Sequence, residues 1–186
     1  MTKQRIKPSR PVNPSPAGLV TSASAAGVPN VLTLAEIFNV SIGKPVIVGI
    51  AVRKQRYSHE LISRSREFVV NLPTVDILAA VDQCGSVSGR DLDKLAAFGL
   101  TPLPADKVRA PLIAECPINI ECLVIGIHEI GDHDLFLGEV VAVHADENVL
   151  DATGRIVPAR LGTIIYQNGE YWSAGTAQGR HGFTRT

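Results

Sequence analysis

The basic run RKQRYS is the first group of side chains whose types and spacing could do chemistry. It places Arg53, Lys54 and Arg56 at the end of an apolar strand, directly before a helix that Ser58 could cap. A helix start offers unpaired backbone N–H groups and partial positive charge, so a phosphate group would be held there with help from the three cations. The alternative is a solvated strand end, where basic residues are common.

A second candidate is the segment SGRDLDK. Ser88 and Asp91 have the capping-box spacing of a helix start, and apolar residues follow at helical intervals. Arg90 and Lys94 are four residues apart, so in a helix they would share one face and could bind an anion together. The alternative is an ordinary capped helix in which Asp91 and Asp93 neutralise these cations.

Two strand-like segments carry polar side chains that could line a pocket. In the segment NVLT, which begins at Asn30 and ends at Thr33, polar residues alternate with apolar ones after a glycine turn. His133 stands at the mouth of a predicted hairpin, from which its imidazole could point into a pocket. The alternatives are edge-strand alternation for the first segment and a solvent-exposed turn histidine for the second.

Signatures of other catalytic classes are missing from the sequence. It contains no H-E-x-x-H, no G-x-S-x-G, no Walker A loop and no glycine-rich dinucleotide loop, so metalloprotease, hydrolase, NTPase and Rossmann functions have no support. The histidines show no metal-ligand spacing; His128 and His133 flank one turn but have no carboxylate or thiolate cluster nearby. We therefore predict no metal site.

Length and charge limit the fold and the partners. The chain has 186 residues, 45% of them apolar, and its 18 basic residues balance 18 acidic ones. This length is enough to bury a sizeable core in one domain. A neutral charge argues against a disordered chain and against nucleic acid as a partner, since nucleic acid needs a surplus of cations. No apolar run approaches the roughly 20 residues of a membrane helix.

The amino terminus and the cysteines indicate the cytoplasm. The first residues are basic and rich in proline, but no apolar segment follows them, so they do not predict a secretory signal. Cys84, Cys116 and Cys122 show no C-x-x-C spacing and are odd in number, and we expect them to be buried, reduced thiols. We predict an extended lead-in over residues 1–11 and a single domain over residues 12–186.

Short strands rich in valine, isoleucine and threonine must position the candidate residues. Strands are predicted over residues 18–24, 29–35, 45–52 and 67–73. Two hairpins are predicted, one pairing 118–128 with 135–144 and the other pairing 161–167 with 170–173 through Asn168-Gly169. Helices are predicted from Ser58 to about residue 64, over 75–81, and after Ser88. The pattern is typical of a mainly β protein, a closed or partly closed β-barrel with a few helices.

Taken in order, a series of segments resembles the flavin reductase-like, FMN-binding split-barrel family, and most closely its flavoredoxin branch. The segments are PSPAGLVTS (14–22), GVPNVLT (27–33), SIGKP (41–45), RYS (56–58), EFVVNLP (67–73), SGRDLDK (88–94), GDHDLFLG (131–138), and YW (171–172) through HGF (181–183). The resemblance covers residues 12–184. It implies a Greek-key split barrel that forms a homodimer, with one FMN in each subunit at or near the interface.

The resemblance also implies a role for each candidate residue. Those implied to contact the isoalloxazine ring and the ribityl chain are Asn30, Val31, Leu32 and Thr33. Those implied to hold the phosphate or the neighbouring ribityl carbons are Arg53, Lys54, Tyr57, Ser58, Ser88 and Lys94. His133 would lie beside the flavin ring as the catalytic side chain, and Tyr166 would pack against the ring. Glu36 departs from the family pattern, because relatives often carry tryptophan at that position.

The implied activity is that of a flavoprotein oxidoreductase, in which NADH or NADPH passes a hydride to FMN and electrons go on to an acceptor. Such a transfer needs no protein nucleophile, which agrees with the lack of one in the sequence. The alternative is an FMN electron carrier of the flavoredoxin type, which receives electrons from a protein partner and has no NAD(P)H activity. A third possibility is a split barrel without cofactor that serves as an interaction module.

Overall fold

The computed structural model describes residues 1–8 and 12–185. Residues 1–8, which begin the predicted lead-in, are exposed and have no regular structure. Residues 9–11, which complete that lead-in, and residue 186, the last of the predicted domain, lie outside the described residues. Within the described residues, the first strand begins at Ser15.

The described residues form a mainly β fold, as predicted. The strands are β1 (Ser15–Pro16), β2 (Gly18–Ala23), β3 (Pro29–Leu34), β4 (Ile37–Ser41), β5 (Ile47–Arg53), β6 (Glu67–Leu72), β7 (Pro102–Leu103), β8 (Leu112–Ile113), β9 (Ile118–Ile130), β10 (His133–Ala145), β11 (Ile164–Gln167) and β12 (Glu170–Ser173). The α-helices are α1 (Tyr57–Ser65), α2 (Leu78–Ser86) and α3 (Lys94–Ala97), and short 3₁₀ turns occur at Val75–Ile77, Glu147–Val149 and Pro158–Arg160.

One antiparallel sheet forms the body of the protein. Its seven strands follow the order β3-β2-β6-β9-β10-β5-β4. The edge strands β3 and β4 are consecutive in the chain and separated only by Ala35 and Glu36, so the two edges must lie close together and the sheet curls into a barrel. Strands β5 and β6 are also consecutive, yet β9 and β10 lie between them in the sheet, which is a Greek-key arrangement.

Alternate residues of the strands fill the barrel. On β5, the side chains of Val48, Ile50 and Val52 enter the interior and pack with Phe68 of β6. Gly138 of β10 lies against that ring, and a Cβ at this position would be 2.6 Å from Phe68 Cζ. The missing side chain at residue 138 is therefore what makes room for the aromatic ring.

Helices α2 and α3 cover the outer face of β2 and β3. Leu19 of β2 and Val31 of β3 pack with Val81 of α2 and Leu95 of α3 in a second core, which Ile164 of β11 also joins. Strand β2 is buried along its whole length because one face meets the barrel interior and the other meets these helices.

Both predicted hairpins are confirmed. Strands β9 and β10 pair around a turn in which Gly131 has a φ of 59°. Strands β11 and β12 pair around Asn168 and Gly169, whose φ angles of 50° and 91° are the two successive positive values of a type I′ turn. Residues that tolerate positive φ thus stand where the chain reverses.

The predicted cap of the first helix is wrong. Helix α1 begins at Tyr57, and its cap position is held by Arg56, whose side chain makes no capping hydrogen bond. Ser58 lies inside the first turn and is buried. Its hydroxyl oxygen accepts a hydrogen bond of 2.7 Å from Nδ2 of Asn30, so the hydroxyl is engaged with β3 rather than with the helix start.

The predicted capping box at Ser88 is also wrong. Helix α3 begins at Lys94, because Asp93 caps it by accepting a hydrogen bond of 3.2 Å from a backbone N–H three residues further on. Ser88 instead closes a turn by accepting from the backbone N–H of Arg90 at 3.2 Å. Arg90 precedes the helix and so shares no helix face with Lys94; its guanidinium pairs with Glu60 of α1 at 2.8 Å.

Candidate functional site

A small polar cavity lies where β3, the start of α1 and the start of α3 meet. Its volume is about 90 Å³, which is below the range of sites that enclose a whole small-molecule ligand, so it suits one end of a larger ligand. It is lined by Asn30, Leu32, Gln55, Arg56, Tyr57, Ser58, Val87, Ser88, Gly89 and Lys94. The segments NVLT, RKQRYS and SGRDLDK, which are far apart in sequence, therefore meet at one place.

Lys94 is the buried charged group in the lining of this small cavity. Its side chain is 96% buried, since only 4% of the residue is exposed. Its Nζ donates hydrogen bonds to the carbonyl oxygens of Cys84 at 2.9 Å and Val87 at 3.4 Å, and no carboxylate of the described residues forms an ion pair with it. Burial, together with the nearby Arg56, lowers the pKa of Lys94 to about 8. A buried ammonium group without a counter-charge favours an anionic ligand.

Asn30 and Ser58 also line the small cavity. Asn30 is 5% exposed, and its Nδ2 donates to the buried hydroxyl of Ser58. Its Oδ1 is buried and has no hydrogen-bond partner among residues 1–8 and 12–185. A buried acceptor without a donor is costly, so this oxygen is suited to a ligand that brings an O–H or N–H group.

A second, wider cavity of about 780 Å³ adjoins the small one. Arg56 lines both cavities, and Leu32 and Leu34 of the same strand line one each. The wider cavity is lined by Thr33, Leu34, Ala35, Glu36, Arg53, Arg56, Asp82, Gly85, Ser86, Asp132, His133, Tyr166 and Tyr171. It combines an aromatic wall with charged groups of both signs.

His133 stands on the wall of the wider cavity. It opens β10, and its register partner on β5 is Arg53. Its Nδ1 lies 2.7 Å from Oδ1 of Asp132, and Nη2 of Arg53 lies 3.8 Å from the other oxygen of that carboxylate. The hydrogen bond to His133 holds the pKa of Asp132 below its usual value. The carboxylate therefore fixes the Nδ1 edge of the imidazole. In a neutral ring, Nδ1 would carry the proton and donate it to this hydrogen bond.

Thr33 joins the wider cavity to helix α2. Its hydroxyl donates a short hydrogen bond to the carbonyl oxygen of Val81. A Cβ on Gly85 of α2 would lie 3.3 Å from Cβ of Thr33, so a glycine lets the helix pack closely against β3 here. The position of the cavity floor is therefore set by contacts between α2 and β3.

Most of the predicted site residues are brought together, and two are not. The small cavity collects Asn30, Leu32, Tyr57, Ser58, Ser88 and Lys94, and the wider cavity collects Thr33, Arg53, His133 and Tyr166. Val31 faces the second core and lines neither cavity. Lys54 also lines neither cavity, because its Nζ pairs with Glu129 at 2.8 Å and Asp134 at 3.3 Å.

Tyr171 and Asp82 are among the residues of the wider cavity that the sequence did not predict. Tyr171 of β12 stands opposite Tyr166 of β11, with ring centroids 5.6 Å apart in an edge-to-face arrangement. Its hydroxyl donates to Oδ1 of Asp82 at 3.2 Å, and burial beside that carboxylate raises the pKa of Tyr171 to about 12. The signal was present in the sequence, because the Asn168-Gly169 turn fixes a register in which the two tyrosines face each other.

One group of possible metal ligands occurs among the described residues, away from both cavities. Ligand atoms of Asp106, Glu121 and His144 lie within 4.8 Å of one another. Both carboxylate oxygens of Glu121 are already used, because they accept from the backbone N–H groups of Asp106, Lys107 and Val108 and lie 2.6 Å from Nε2 of His144. This buried carboxylate anchors the loop before β8.

In the part of the chain that the structure describes, no helix is long and apolar enough to cross a membrane.

Comparison with known proteins gives one consistent family. A family model described as a flavin reductase like domain matches residues 10–175. An uncharacterised protein of Archaeoglobus fulgidus is 40% identical over 119 residues, which cover 63% of this chain and 67% of that protein. The solved structure of the flavoredoxin of Desulfovibrio vulgaris (Miyazaki F) is 27% identical, with a TM-score of 0.90 and 99% of each chain covered. The flavoredoxin of Methanosarcina acetivorans is 26% identical, with a TM-score of 0.86, 99% of this chain and 100% of that chain covered.

These comparisons confirm the predicted split-barrel fold and the resemblance that the sequence segments carry. The family match covers both cavities, since their lining residues run from Asn30 to Tyr171. The chain belongs to the family of flavin reductase like domains.

Proposed function

We propose that the chain binds FMN across the two adjoining cavities and acts as a flavin reductase-like oxidoreductase that uses NADH or NADPH. The observation that carries this proposal is the buried Lys94 ammonium, which has no carboxylate partner among the described residues and lies in a narrow cavity that continues into a wide, aromatic-walled one. FMN has the matching shape and charge: an anionic phosphate at one end and a flat, partly apolar ring at the other.

The residues present fit this cofactor. The unpartnered Oδ1 of Asn30, in the lining of the small cavity, offers an acceptor to a hydroxyl of the ribityl chain. Lys94, Ser58 and Ser88 would hold the phosphate, with Tyr57 beside them. Residues of the wider cavity would face the ring, and they include Thr33, Arg53, His133 and Tyr166.

When bound, FMN supplies the redox chemistry, because its ring accepts a hydride and releases electrons to a second acceptor. The protein groups bind, orient and shield it. The Asp132 carboxylate holds the His133 imidazole at Nδ1, so that the ring is fixed at the cavity wall. Arg53 and Arg56 line the same cavity together with the carboxylates of Glu36, Asp82 and Asp132, so groups of both signs face the ligand.

The competing proposal is an FMN electron carrier that receives electrons from a protein partner and does not react with NAD(P)H. The likeness to the flavoredoxin of Desulfovibrio vulgaris over 99% of each chain supports this second candidate. In both cases the same cavities bind the same cofactor. The two functions differ only in what approaches the open side of the wider cavity.

Anaerobic stopped-flow spectroscopy separates the candidates. The FMN-loaded protein is mixed with NADH or NADPH, and the flavin absorbance near its visible maximum is followed. Rapid, saturable bleaching supports the oxidoreductase, whereas a spectrum that stays oxidised with both nucleotides but bleaches with dithionite supports the carrier. A protein that is purified without colour and takes up no added FMN would refute both.

We also propose that two copies form a homodimer through the outer face of the barrel around β4, β5, β9 and β10. Phe38 of β4 packs over Gly49 of β5 on this face and is 46% exposed, and Leu123 of β9 is 42% exposed. Val40 of β4 and Ile125 of β9, each at a register shift of its strand, are also exposed. A cluster of exposed apolar side chains on a sheet is typical of a surface that a partner covers.

Light scattering coupled to size-exclusion chromatography tests the dimer. Phe38→Lys should shift the mass from two chains to one, whereas Ile156→Lys, at an exposed apolar residue outside this face, should leave the mass unchanged. A monomeric unmodified protein would refute the proposal.

We expect the protein in the cytoplasm, a compartment consistent with the free, buried state of Cys84, Cys116 and Cys122.

A further inference from the structure

The turn at Gly89 touches the site at a point where no side chain could fit. A Cβ built on Gly89 would lie 1.9 Å from Oδ1 and 2.9 Å from Cγ of Asn30, and 3.4 Å from the Tyr57 ring. Gly89 needs no positive φ, so its backbone conformation is open to other residues. The reason for a glycine at this position is therefore the space that the Asn30 carboxamide occupies.

That carboxamide has little freedom to move away. Asn30 is 5% exposed, and its Nδ2 donates to the hydroxyl of Ser58, which is 2% exposed, at 2.7 Å. A side chain at residue 89 would have to displace Oδ1 and break this hydrogen bond. The orientation of Asn30 thus depends on two neighbours: Ser58 holds the nitrogen end and Gly89 leaves room for the oxygen end.

The oxygen end of Asn30 selects for a hydrogen-bond donor. Among the described residues no donor reaches Oδ1, although it is buried in the lining of the small cavity. A phosphate dianion carries no donor and would be repelled by the partial negative charge of this oxygen, whereas a polyol hydroxyl donates readily. Lys94, on the other hand, offers only donors and a positive charge. Asn30 and Lys94 therefore suit two different chemical groups of one ligand.

We propose that Gly89 is a positioning residue that holds the Asn30 carboxamide so that Oδ1 accepts a hydrogen bond from a ribityl hydroxyl, while the buried charge of Lys94 recognises the phosphate. This inference rests on the proposed binding of FMN in these cavities. The flavin tail would then be recognised at two places, one that binds a ribityl hydroxyl and one that binds the phosphate. Riboflavin carries only the hydroxyls, whereas FMN carries the hydroxyls and the phosphate.

Titration of flavin fluorescence with the flavin-free protein tests this division, using FMN and riboflavin with each variant. Gly89→Ala should weaken binding of both flavins by the same factor, about three- to tenfold, because one buried hydrogen bond is lost. Lys94→Met should weaken FMN by at least about tenfold and change riboflavin by less than about twofold. Gly43→Ala, at a glycine with nothing within 4 Å of the added Cβ, is the matched control and should bind both flavins normally.

A double variant shows whether Gly89 acts through Asn30. Asn30→Ala should weaken both flavins, and adding Gly89→Ala to it should cause no further loss, because the group that the new methyl would displace is gone. Thermal unfolding of each variant confirms that the fold is kept, and Asn30→Ala tests the hydroxyl contact even where Gly89→Ala does not fold. Additive losses, or a Gly89→Ala variant that binds both flavins normally, would overturn the inference while leaving flavin binding intact. A protein that binds neither flavin would overturn the proposed function itself, and the inference with it.

Discussion

Raising the pH should weaken FMN binding through Lys94. Burial lowers the pKa of this group from 10.5 to about 8 in the flavin-free protein. A phosphate next to the ammonium would favour its charged form and raise the pKa again. Below pH 8 Lys94 is already charged before binding, so the affinity should not change with pH. Above pH 8 binding must take up a proton, and the affinity should fall as the pH rises.

The size of the effect follows from the position of the pKa. With a pKa of about 8, the charged fraction of Lys94 in the free protein falls about tenfold for each pH unit above 8. FMN affinity at pH 9 should therefore be roughly tenfold lower than at pH 7, a change of about 1.4 kcal/mol. The buried Cys84 thiol next to Lys94 does not interfere, because its pKa is raised to about 11, above the pH range of the measurement.

The assay is flavin fluorescence quenching at constant ionic strength and several pH values, with FMN and riboflavin measured side by side. Changes in the ring affect both flavins equally, so the ratio of their dissociation constants isolates the phosphate. Lys94→Met should make this ratio independent of pH. If the unmodified protein also gives a constant ratio between pH 7 and pH 9, then the phosphate does not bind at Lys94.

Three further outcomes are expected. His133→Ala should keep the melting temperature and either weaken FMN retention or slow flavin reduction in stopped-flow mixing, because the imidazole lies in the cavity wall rather than in a core; normal binding and normal rates would remove His133 from the site. Gly138→Ala should lower the urea-unfolding free energy by about 1–3 kcal/mol, since its Cβ would lie 2.6 Å from the Phe68 ring; an unchanged midpoint would contradict the packing described. Burial raises the pKa of Glu121, but hydrogen bonds from backbone N–H groups and His144 together outweigh burial and hold the pKa below its usual 4.5. The carboxylate therefore stabilises the fold above that pH, and the contribution is lost as the pH falls through the lowered pKa. Glu121→Gln should therefore cost about 2 kcal/mol at pH 7 and flatten the acid-unfolding profile, which circular dichroism would follow.

The local turn chemistry made much of the fold predictable. The Asn168-Gly169 pair can take two positive φ angles in succession, and the chain reverses there. The long pair β9 and β10 was likewise predicted from its turn. Strand β4 was not predicted, although Ile37, Phe38 and Val40 are strand-forming types; only Ile37 is buried, and the strand is ordered by pairing with β5.

The helix N-caps show the limit of prediction from local sequence. Ser58 has the residue type of a helix cap, but its hydroxyl is taken by Asn30, a residue 28 positions earlier in the chain. Ser88 and Asp93 both suit a helix start, and only the packing of α3 on the second core decides between them. Local sequence gives the possible partners of a polar side chain, whereas tertiary contacts choose one.

The sequence predicted which residues form the site better than it predicted how they are arranged. The resemblance named residues in both cavities, including Asn30, Lys94 and His133, and these do converge. Val31 and Lys54 were included because they adjoin the right residues in sequence. Val31 faces the second core because a strand turns successive side chains to opposite faces, and Lys54, in the turn after β5, is held by Glu129 and Asp134. The role of Gly89 could not be read from a glycine alone, because it lies in the distance to Asn30.

The pairing of β1 with β11 has a practical consequence for handling the protein. Ser15 is the register partner of Tyr166, so the strand that carries one aromatic side chain of the wider cavity is held by a dipeptide near the start of the chain. A deletion that removes residues 1–16, or a bulky fusion joined immediately before β1, would leave one edge of β11 without its neighbour. Preparations trimmed in this way should lose yellow colour on dialysis sooner than the intact polypeptide, even though the barrel itself stays folded.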